Sequence, residues 1–323
     1  MNAVAYVRYG SPDVLQIKEV EKPAPADSDV LIKVRAASLN PIDWHFMRGE
    51  PYLVRLGSGL RTPKSARLGH DVAGQVEAVG RNVTRFKTGD EVFGTCAGSC
   101  AEFVCARESA VVVKPKDVTF EQAASAPVAA YTALQGLRDK GGMRPGHKAL
   151  INGAAGGVGT FAVQIAKSFG AEVTGVCSTR NMELVRSIGA DHIVDYTRED
   201  FAERGQRYDL LLDCVLNHSL SACRRALNPG GTHVIVGAPP GRWMIVSLAR
   251  LLTGLALSRF RSRKVVMFVA RSSREDLTLV GEMIASGKIT PVIDRRYRLS
   301  EVSEAVRYLE QGHARGKVVI TVM

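Results

Sequence analysis

The alternation of apolar and polar positions changes character along the chain. Up to about residue 120, short apolar runs alternate with turn clusters rich in Pro, Gly and Asp, which predicts β-strands at Val30–Ala36, Val72–Val79 and Ala110–Lys114. From Phe120 to Lys140, Ala, Leu and Gln recur at helical spacing, and Gly141–Gly142 ends this predicted helix.

Apolar strands and helices then alternate. The pattern predicts buried strands at Lys148–Asn152, Ala171–Val176, Tyr208–Asp213, Thr232–Gly237 and Val265–Ala270. Helices are predicted over Gly157–Gly170 and Asn181–Gly189. This order is typical of βαβ units and a parallel sheet. The tail from Ser272 contains two helical pieces and a last strand, Lys317–Val322.

The glycine-rich stretch Ile151–Gly159 lies between a predicted strand and a predicted helix. Against the pattern G-x-G-x-x-G, Ala154 stands at the first glycine, Gly156 at the second and Gly159 at the third. Such a turn brings backbone N–H groups and a helix N-terminus to a pyrophosphate. The alternative is a tight strand–helix turn without a ligand.

The residues after the second predicted strand indicate which dinucleotide this turn would bind. NAD-binding chains place an acid here for the ribose 2′-OH, whereas this chain has Ser178, Thr179 and Arg180. Two hydroxyls and a guanidinium suit a 2′-phosphate, and Tyr196 could add a third hydroxyl. We therefore expect NADPH as the cofactor; the alternative for Arg180 is a solvated residue at a helix start.

Several ordered motifs carry a family resemblance. They are AASLNPID at Ala36–Asp43, LGHDVAGQVEAVG at Leu68–Gly80, GDEVF at Gly89–Phe93, APVAAYTAL at Ala126–Leu134, AAGGVG at Ala154–Gly159 and GKVVITV at Gly316–Val322. With these motifs the chain resembles the medium-chain dehydrogenase/reductase superfamily, in its zinc-free quinone oxidoreductase-like group.

The resemblance implies an α/β fold in which a doubly wound Rossmann sheet is joined to a β-rich, GroES-like catalytic domain. We expect the first part of the catalytic domain at residues 1–120 and the NADP-binding domain at 121–270. Residues 271–323 would return to complete the catalytic domain. A homodimer is usual among such relatives.

The resemblance also implies an activity: hydride transfer from NADPH to a quinone or to the activated C=C of an α,β-unsaturated carbonyl. It places Asn40 and Asp43 near the nicotinamide ribose, although Asp43 could equally be a turn cap after Pro41. His45 and Tyr52 could donate a proton, or could be packing residues. The expected cofactor contacts are Asn40, Val128, Thr132, Ala155, Gly156, Gly157, Val158, Gly159, Ser178, Thr179, Arg180, Tyr196, Gly237, Ala238 and Lys317. For Lys317 the alternative is a charge on an edge strand.

No metal site is predicted. Zinc-dependent relatives supply a catalytic Cys near the position of Asn40, and this chain keeps only His70 of that ligand set. The spacing of Cys96, Cys100 and Cys105 lacks the paired CxxC frame of a structural zinc site, so packing is expected for these thiols.

The composition and the net charge restrict the class of protein and the partners that the chain could bind. The 323 residues carry a net charge of +11, with 46% hydrophobic residues and six Cys, which excludes a disordered chain and a disulfide scaffold. Six of the positive charges lie in the acid-free stretch Arg242–Ala270. The apolar face of that stretch predicts a subunit interface or a lid, and a peripheral membrane contact through 242–264 is the alternative.

Two other functions remain open. One is an enoyl-thioester reductase of the same superfamily; the other is a non-enzymatic RNA-binding or structural relative. We expect no nucleic-acid partner, because no RNA-binding motif or aromatic stacking set accompanies the basic residues. Since the chain shows no targeting segment at its start, we expect a cytoplasmic location with free thiols.

Overall fold

The computed structural model describes residues 1–52, 54–64, 67–236 and 263–322. Contacts divide the chain into two compact units. The first consists of Met1–Tyr131, Ser272–Gly287 and Pro291–Met323, and the second of Thr132–Arg271 and Lys288–Thr290. The first unit therefore joins the two ends of the chain. The domain bounds expected from the resemblance remain a prediction, and this division by contacts falls at Tyr131 and Arg271.

Most of the strands follow apolar runs of the sequence, whereas β2 and β14 are largely polar. They are β1 Asn2–Ala5, β2 Gln16–Glu19, β3 Asp29–Leu39, β4 Asp71–Val79, β5 Glu91–Thr95, β6 Phe103–Arg107, β7 Val111–Val113, β8 Lys148–Asn152, β9 Glu172–Cys177, β10 His192–Asp195, β11 Tyr208–Asp213, β12 Leu227–Ile235, β13 Lys264–Met267, β14 Ile293–Arg298 and β15 Lys317–Thr321. The helices are α1 Pro41–Arg48, α2 Val54–Ser58, α3 Phe120–Ala124, α4 Pro127–Gln135, α5 Gly157–Ser168, α6 Met182–Ser187, α7 Leu220–Arg225, α8 Arg274–Ala285 and α9 Val302–Glu310.

A seven-stranded sheet forms the body of the first unit. Six of its strands run in the order β14-β15-β3-β4-β5-β7, and β6 pairs with the first half of β3. The long strand β3 is antiparallel to β4, β6 and β15, with Ser38 opposite Asp71. A core of aliphatic side chains from these strands and from α9 packs within this unit. The pairing brings the end of β3 and the starts of β4 and β15 together.

The second unit contains a six-stranded parallel sheet in the order β10-β9-β8-β11-β12-β13. Strands β8 and β11 lie at its centre and are apolar at most positions, as expected for strands covered on both faces. The strand order reverses between β8 and β11, which is the position where ligands bind in open α/β sheets. The α/β fold class predicted from the sequence is confirmed.

Two segments differ from the predicted pattern. The helix expected over Phe120–Lys140 is broken into α3 and α4, because a proline at 127 disfavours helical backbone in the residue before it. The last residues of that segment, Gly136–Lys140, form a π-helical turn. Strand β12 begins at Leu227, earlier than the predicted Thr232, and its pairing with β11 shifts register between Tyr208 and Leu210.

Most of the basic stretch lies outside the described residues. Of Arg242–Ala270 the structure describes residues 263–270, where Lys264–Met267 form β13. The predicted cofactor contacts Gly237 and Ala238 also lie outside. Among the helices that the structure does describe, none is long and apolar enough to cross a bilayer. All six cysteines are described, and all six are free thiols.

Candidate functional site

The glycine-rich turn connects the end of β8 to the start of α5. Gly153 has a φ of +88°, a left-handed conformation that favours glycine, and Gly156 is the residue that precedes the first turn of the helix. A Cβ at Gly159 would lie 2.8 Å from Ala154 Cα, so only glycine lets the helix approach the turn this closely. A Cβ at Gly156 would meet only Gly153 O, at 3.4 Å. The turn therefore presents open backbone N–H groups at a helix N-terminus, as a phosphate site requires.

The predicted 2′-phosphate contacts follow β9. Ser178 precedes a short 3₁₀ helix over Thr179–Asn181, and its Oγ accepts a hydrogen bond from Asn181 Nδ2 at 3.2 Å. Arg180 and Tyr196 are exposed. The Thr179 hydroxyl is already engaged, since it donates to Asp195 Oδ2 at 2.5 Å.

Asp195 is a residue that the sequence analysis missed at this position. It ends β10, and the parallel register places it opposite Cys177 at the end of β9. The signal was available, because neighbouring parallel strands bring their carboxyl ends to one edge of the sheet. Its carboxylate also accepts from Thr197 N at 3.0 Å and Thr197 Oγ1 at 2.7 Å. These hydrogen bonds lower the pKa of Asp195, so it stays ionised beside the expected 2′-phosphate position.

In the first unit, a buried carboxylate collects four donors. Asp71 Oδ2 accepts from Ser38 Oγ and Asn40 Nδ2, both at 2.8 Å, and lies 3.2 Å from Lys317 Nζ. Asp71 Oδ1 accepts from Val128 N at 2.9 Å, at the start of α4. We call Ser38, Asn40, Asp71 and Lys317 the Asp71 cluster. All four are buried, which ties the ends of three strands together through one negative charge.

Lys317 occupies an unexpected place. It begins β15, which lies between β14 and β3 and is not an edge strand. Its ammonium donates to Asn40 Oδ1 at 2.5 Å and its residue is 2% exposed. Its ammonium therefore holds Asn40 and Asp71 in place, and the edge-strand alternative is wrong. The cofactor contact expected for Lys317 stays a prediction.

Asp43 has two roles in α1. Its Oδ2 accepts from the backbone N of Asn40 at 2.6 Å, which is the capping role that the sequence left open. Its Oδ1 lies 2.5 Å from Nδ1 of His70, and we call this pair the Asp43–His70 dyad. Burial alone would lower the pKa of His70, but the charge and hydrogen bond of Asp43 outweigh it and raise the pKa above 6.5.

His45 and Tyr52, the predicted proton donors, have other partners. The His45 ring stacks on Trp44 with centroids 3.7 Å apart, and its Nδ1 lies 2.8 Å from Glu50 O. Burial lowers the pKa of His45, so the ring is neutral at pH 7. Tyr52 lies against the guanidinium of Arg55, 4.8 Å from the ring centroid.

The structure thus places the predicted residues in two groups, one in each unit. Asn40, Asp43, Val128 and Lys317 share a hydrogen-bonded network in the first unit. Ala155, Gly156, Gly157, Val158 and Gly159 form the turn of the second unit, and Thr132 belongs to that unit as well. Ser38, His70 and Asp71 were not predicted as site residues.

Two family models match parts of the chain. The family model described as alcohol dehydrogenase GroES-like domain matches residues 26–119, and the model described as zinc-binding dehydrogenase matches residues 188–320. The chain is 38% identical over 339 residues to 2-methylene-furan-3-one reductase of Solanum lycopersicum, covering 99% of this chain and 79% of that protein.

Solved structures show the same likeness. The quinone oxidoreductase from Coxiella burnetii superposes with a TM-score of 0.87 at 30% identity, covering 100% of this chain and 99% of that one. The Escherichia coli quinone oxidoreductase complexed with NADPH gives a TM-score of 0.83 at 25% identity, covering 99% of this chain and 100% of that one.

The description of one family model raises the question of zinc. Among the described residues, the one group of three side chains close enough to ligate an ion is Asp213, Cys223 and His233, all buried. Asp213 is already satisfied there by Asn152 Nδ2 at 2.9 Å and by the backbone N–H groups of residues 215 and 216. His70 has Asp43 as its partner and no third ligand, so the described residues do not fit a catalytic zinc at this position.

The identity covers nearly the whole chain, and the fold matches over its full length. The turn between β8 and α5 fits a nicotinamide dinucleotide. Because Gly159 has no Cβ, the N-terminus of α5 lies close to the turn, as the dinucleotide-binding pattern requires. The chain belongs to the medium-chain dehydrogenase/reductase superfamily, in its quinone oxidoreductase-like group, and is an oxidoreductase with a nicotinamide cofactor.

Proposed function

We propose that this protein transfers a hydride from NADPH to the activated C=C of an α,β-unsaturated carbonyl or to a quinone, without zinc. The observation that carries the proposal is the Gly153–Gly159 turn at the strand-order reversal of a six-stranded parallel sheet. That position and that turn are where such sheets hold a pyrophosphate against a helix N-terminus.

The cofactor-binding roles follow from placement. The backbone of Ala155–Gly159 would hold the pyrophosphate, and Ser178 and Arg180 would bind a 2′-phosphate. The negative charge of Asp195 would repel that phosphate. Its carboxylate oxygens accept hydrogen bonds from Thr179 and Thr197, which reduces the repulsion. NADPH is preferred on the balance of these charges, in agreement with the complexed Escherichia coli relative.

A bound reduced nicotinamide supplies the hydride, so the protein itself has to orient the acceptor and manage one proton. Negative charge develops on the acceptor's carbonyl oxygen, and hydrogen-bond donors stabilise it. Asn40, held by Lys317 and Asp71, is rigid because both ends of its amide are engaged. Such fixed polar groups lower the cost of orientation during the reaction.

Two acceptor classes fit the relatives. The name of the tomato relative specifies a 2-methylene-furan-3-one, which is an α,β-unsaturated ketone, and both solved structures compared above are quinone oxidoreductases. Both acceptors are electrophilic without a metal. An enoyl-thioester reductase is the second candidate, because the CurK enoyl reductase superposes with a TM-score of 0.84 at 27% identity.

The first experiment measures NADPH oxidation against quinones, short enones, alkenals and enoyl-CoA esters after metal analysis of the purified protein. We expect turnover with enones or quinones, no stoichiometric zinc, and activity that survives a chelator. Turnover confined to enoyl-CoA esters would favour the second candidate. No turnover with any acceptor would contradict the proposal.

The second experiment tests the cofactor preference with Arg180→Ala. Removing the guanidinium takes away charged hydrogen bonds to a 2′-phosphate, so KM for NADPH should rise about tenfold or more while KM for NADH is unchanged. Arg225→Ala, an exposed arginine in α7, is the matched control and should leave both constants unchanged. Equal effects of Arg180→Ala on both cofactors would contradict the assignment.

A homodimer located in the cytoplasm is the remaining part of the proposal, and the dimer is drawn from the family resemblance. Sedimentation of the full chain over a range of concentrations tests the oligomer. Liposome co-sedimentation at low and high salt tests the membrane contact through 242–264, and binding that disappears at high salt would support it.

A further inference from the structure

A proton donor is the part of the reduction that the proposed function leaves unassigned. Addition of a hydride to the acceptor leaves it with a negative charge, and one proton completes the reduced product. The donor needs a proton, a positioned ring or hydroxyl, and contact with the outside of the fold.

We propose that His70, oriented by Asp43, is the proton donor to the reduced acceptor. The proposal rests on the reduction of an activated C=C or quinone argued above. His70 Nδ1 lies 2.5 Å from Asp43 Oδ1, and no hydrogen bond joins Nε2 to any described residue. The His70 side chain is 35% exposed while that of Asp43 is 1% exposed. The dyad is therefore anchored at its carboxylate and open at its imidazole.

The backbone around His70 sets the direction of the ring. Gly69 has a φ of +100°, and a Cβ there would lie 2.9 Å from Cys100 Sγ, so only glycine lets the chain turn here. The His70 carbonyl accepts from Cys96 N at 2.8 Å. The ring stacks on Phe46, with centroids 6.0 Å apart and planes 26° apart. These contacts hold the imidazole in one orientation, as a proton donor requires.

Other titratable groups around the dyad are neutral or engaged. Burial raises the pKa of four of them, which keeps them protonated at pH 7: Tyr6, Cys96, Cys100 and Tyr131. Asp71, the next residue in β4, adds a second negative charge, and Lys317 neutralises it within the Asp71 cluster. The net field of these groups favours a protonated His70, with Asp43 as the nearest charge.

In the proposed proton step, His70 loses one proton and the acceptor gains it. The two electrons reach the acceptor with the hydride, and the Nε2–H bond of His70 breaks as an O–H or C–H bond forms on the acceptor. The imidazole becomes neutral and keeps its Nδ1–H hydrogen bond to Asp43. A water molecule or hydronium at the exposed ring edge then restores the proton, so the enzyme returns to its starting state.

The first test measures the pKa of His70 in the dyad, without cofactor or substrate. The His70 Cε1–H signal of the free protein, identified by its absence in His70→Asn, is titrated by NMR. We expect a pKa above 6.5 in the wild type and a fall of about one pH unit or more in Asp43→Asn, because the opposite charge is gone. A wild-type value below 6.5, or no change in Asp43→Asn, overturns the proposal.

The second test measures turnover of an enone and a quinone with NADPH across pH. His70→Asn keeps an amide N–H for Asp43 but carries no acid; His70→Gln is a second variant in case the first folds poorly. We expect kcat to fall about 10²-fold and the decline of wild-type activity above the His70 pKa to disappear. The matched control His192→Asn removes an exposed histidine that pairs with Glu172 in the second unit. It should keep the wild-type rate and profile.

The outcomes separate the two proposals. If the wild type reduces an acceptor and both His70 variants match it in rate and pH profile, the role of His70 is wrong and the proposed function stands. If the wild type reduces no acceptor, the proposed function is wrong and the role of His70 is wrong with it.

Discussion

Two histidine–aspartate pairs of this protein have similar chemistry and opposite surroundings. In the first unit, the Asp43–His70 dyad joins a buried carboxylate to an imidazole whose side chain is 35% exposed. In the second unit, His233 Nε2 lies 3.2 Å from Asp213 Oδ2, and both side chains are 1% exposed. One pair can exchange a proton with its surroundings, and the other is sealed from solvent, since both of its side chains are buried beside Cys223.

The difference shows that residue type does not determine the role of such a pair. Burial raises the cost of charge on Asp213, yet the hydrogen bonds of His233 and of the backbone at residues 215 and 216 lower its pKa overall. Asp213 therefore organises the loop after β11. For His70 the same kind of hydrogen bond leaves one ring edge open, so a structural pair becomes a proton-transfer group.

The largest effect is expected from Asp213→Ala. The substitution leaves His233, Asn152 and two backbone N–H groups without their acceptor in a sealed core. Breaking a buried pair by removing one partner should cost about 3–5 kcal/mol of unfolding free energy. Denaturant unfolding measures it, with Glu77→Ala at an exposed ion pair as the control. Equal losses in both variants would contradict the structural role of the sealed pair.

The next effect concerns the Asp71 cluster beside the open pair. Lys317→Met removes a donor from Asn40 and Asp71, but Asp71 retains the hydrogen bonds of Ser38, Asn40 and Val128. We expect a loss of about 2–3 kcal/mol in unfolding free energy. Lys22→Met, at an exposed pair with Glu77, is the control and should cost less than about 1 kcal/mol. A higher unfolding free energy for Lys317→Met would show that the buried ammonium of Lys317 destabilises the fold.

The open pair should make stability depend on pH in a defined direction. Because the folded-state pKa of His70 is raised above its unfolded value of 6.5, the pair stabilises the fold fully below pH 6.5. That contribution is lost as the pH rises through the folded-state pKa. The unfolding free energy of wild type minus that of His70→Asn should therefore shrink between pH 6 and pH 9. A difference that grows with pH would contradict the assigned charge state.

The smallest effect is expected at a third pair, which is open on both sides. His192 Nε2 lies 3.1 Å from Glu172 Oε1, with side chains 52% and 37% exposed. Glu172→Gln should change the unfolding free energy by less than about 1 kcal/mol, because water screens such a pair. The same denaturant titration measures this change. A loss as large as that of Asp213→Ala would show that solvent exposure does not explain the difference in unfolding free energy between the pairs.

Local patterns predicted much of the fold. The apolar run before Ile151–Gly159 and the helical spacing after it predicted β8, the turn and α5, since these depend on neighbours in the chain. The predicted parallel strands could have placed Asp195 at the same sheet edge as Thr179, but the register that brings the two side chains into contact came only from the structure. It also left Lys317 as an edge charge or a cofactor contact, while the sheet order places it on an inner strand.

The sequence by itself determined the order of strands and helices, the glycine turn and the family, because periodicity, turn chemistry and motif spacing are local properties. Only the tertiary structure decided which side chains meet. Asp43 and His70 are 27 positions apart, and Asn40 and Lys317 are 277 apart. The second pair forms because strands from both ends of the chain enter one sheet. The sequence predicted His45 as a candidate acid, whereas in the folded chain the carboxylate of Asp43 pairs with His70 and His45 lies against the carbonyl of Glu50.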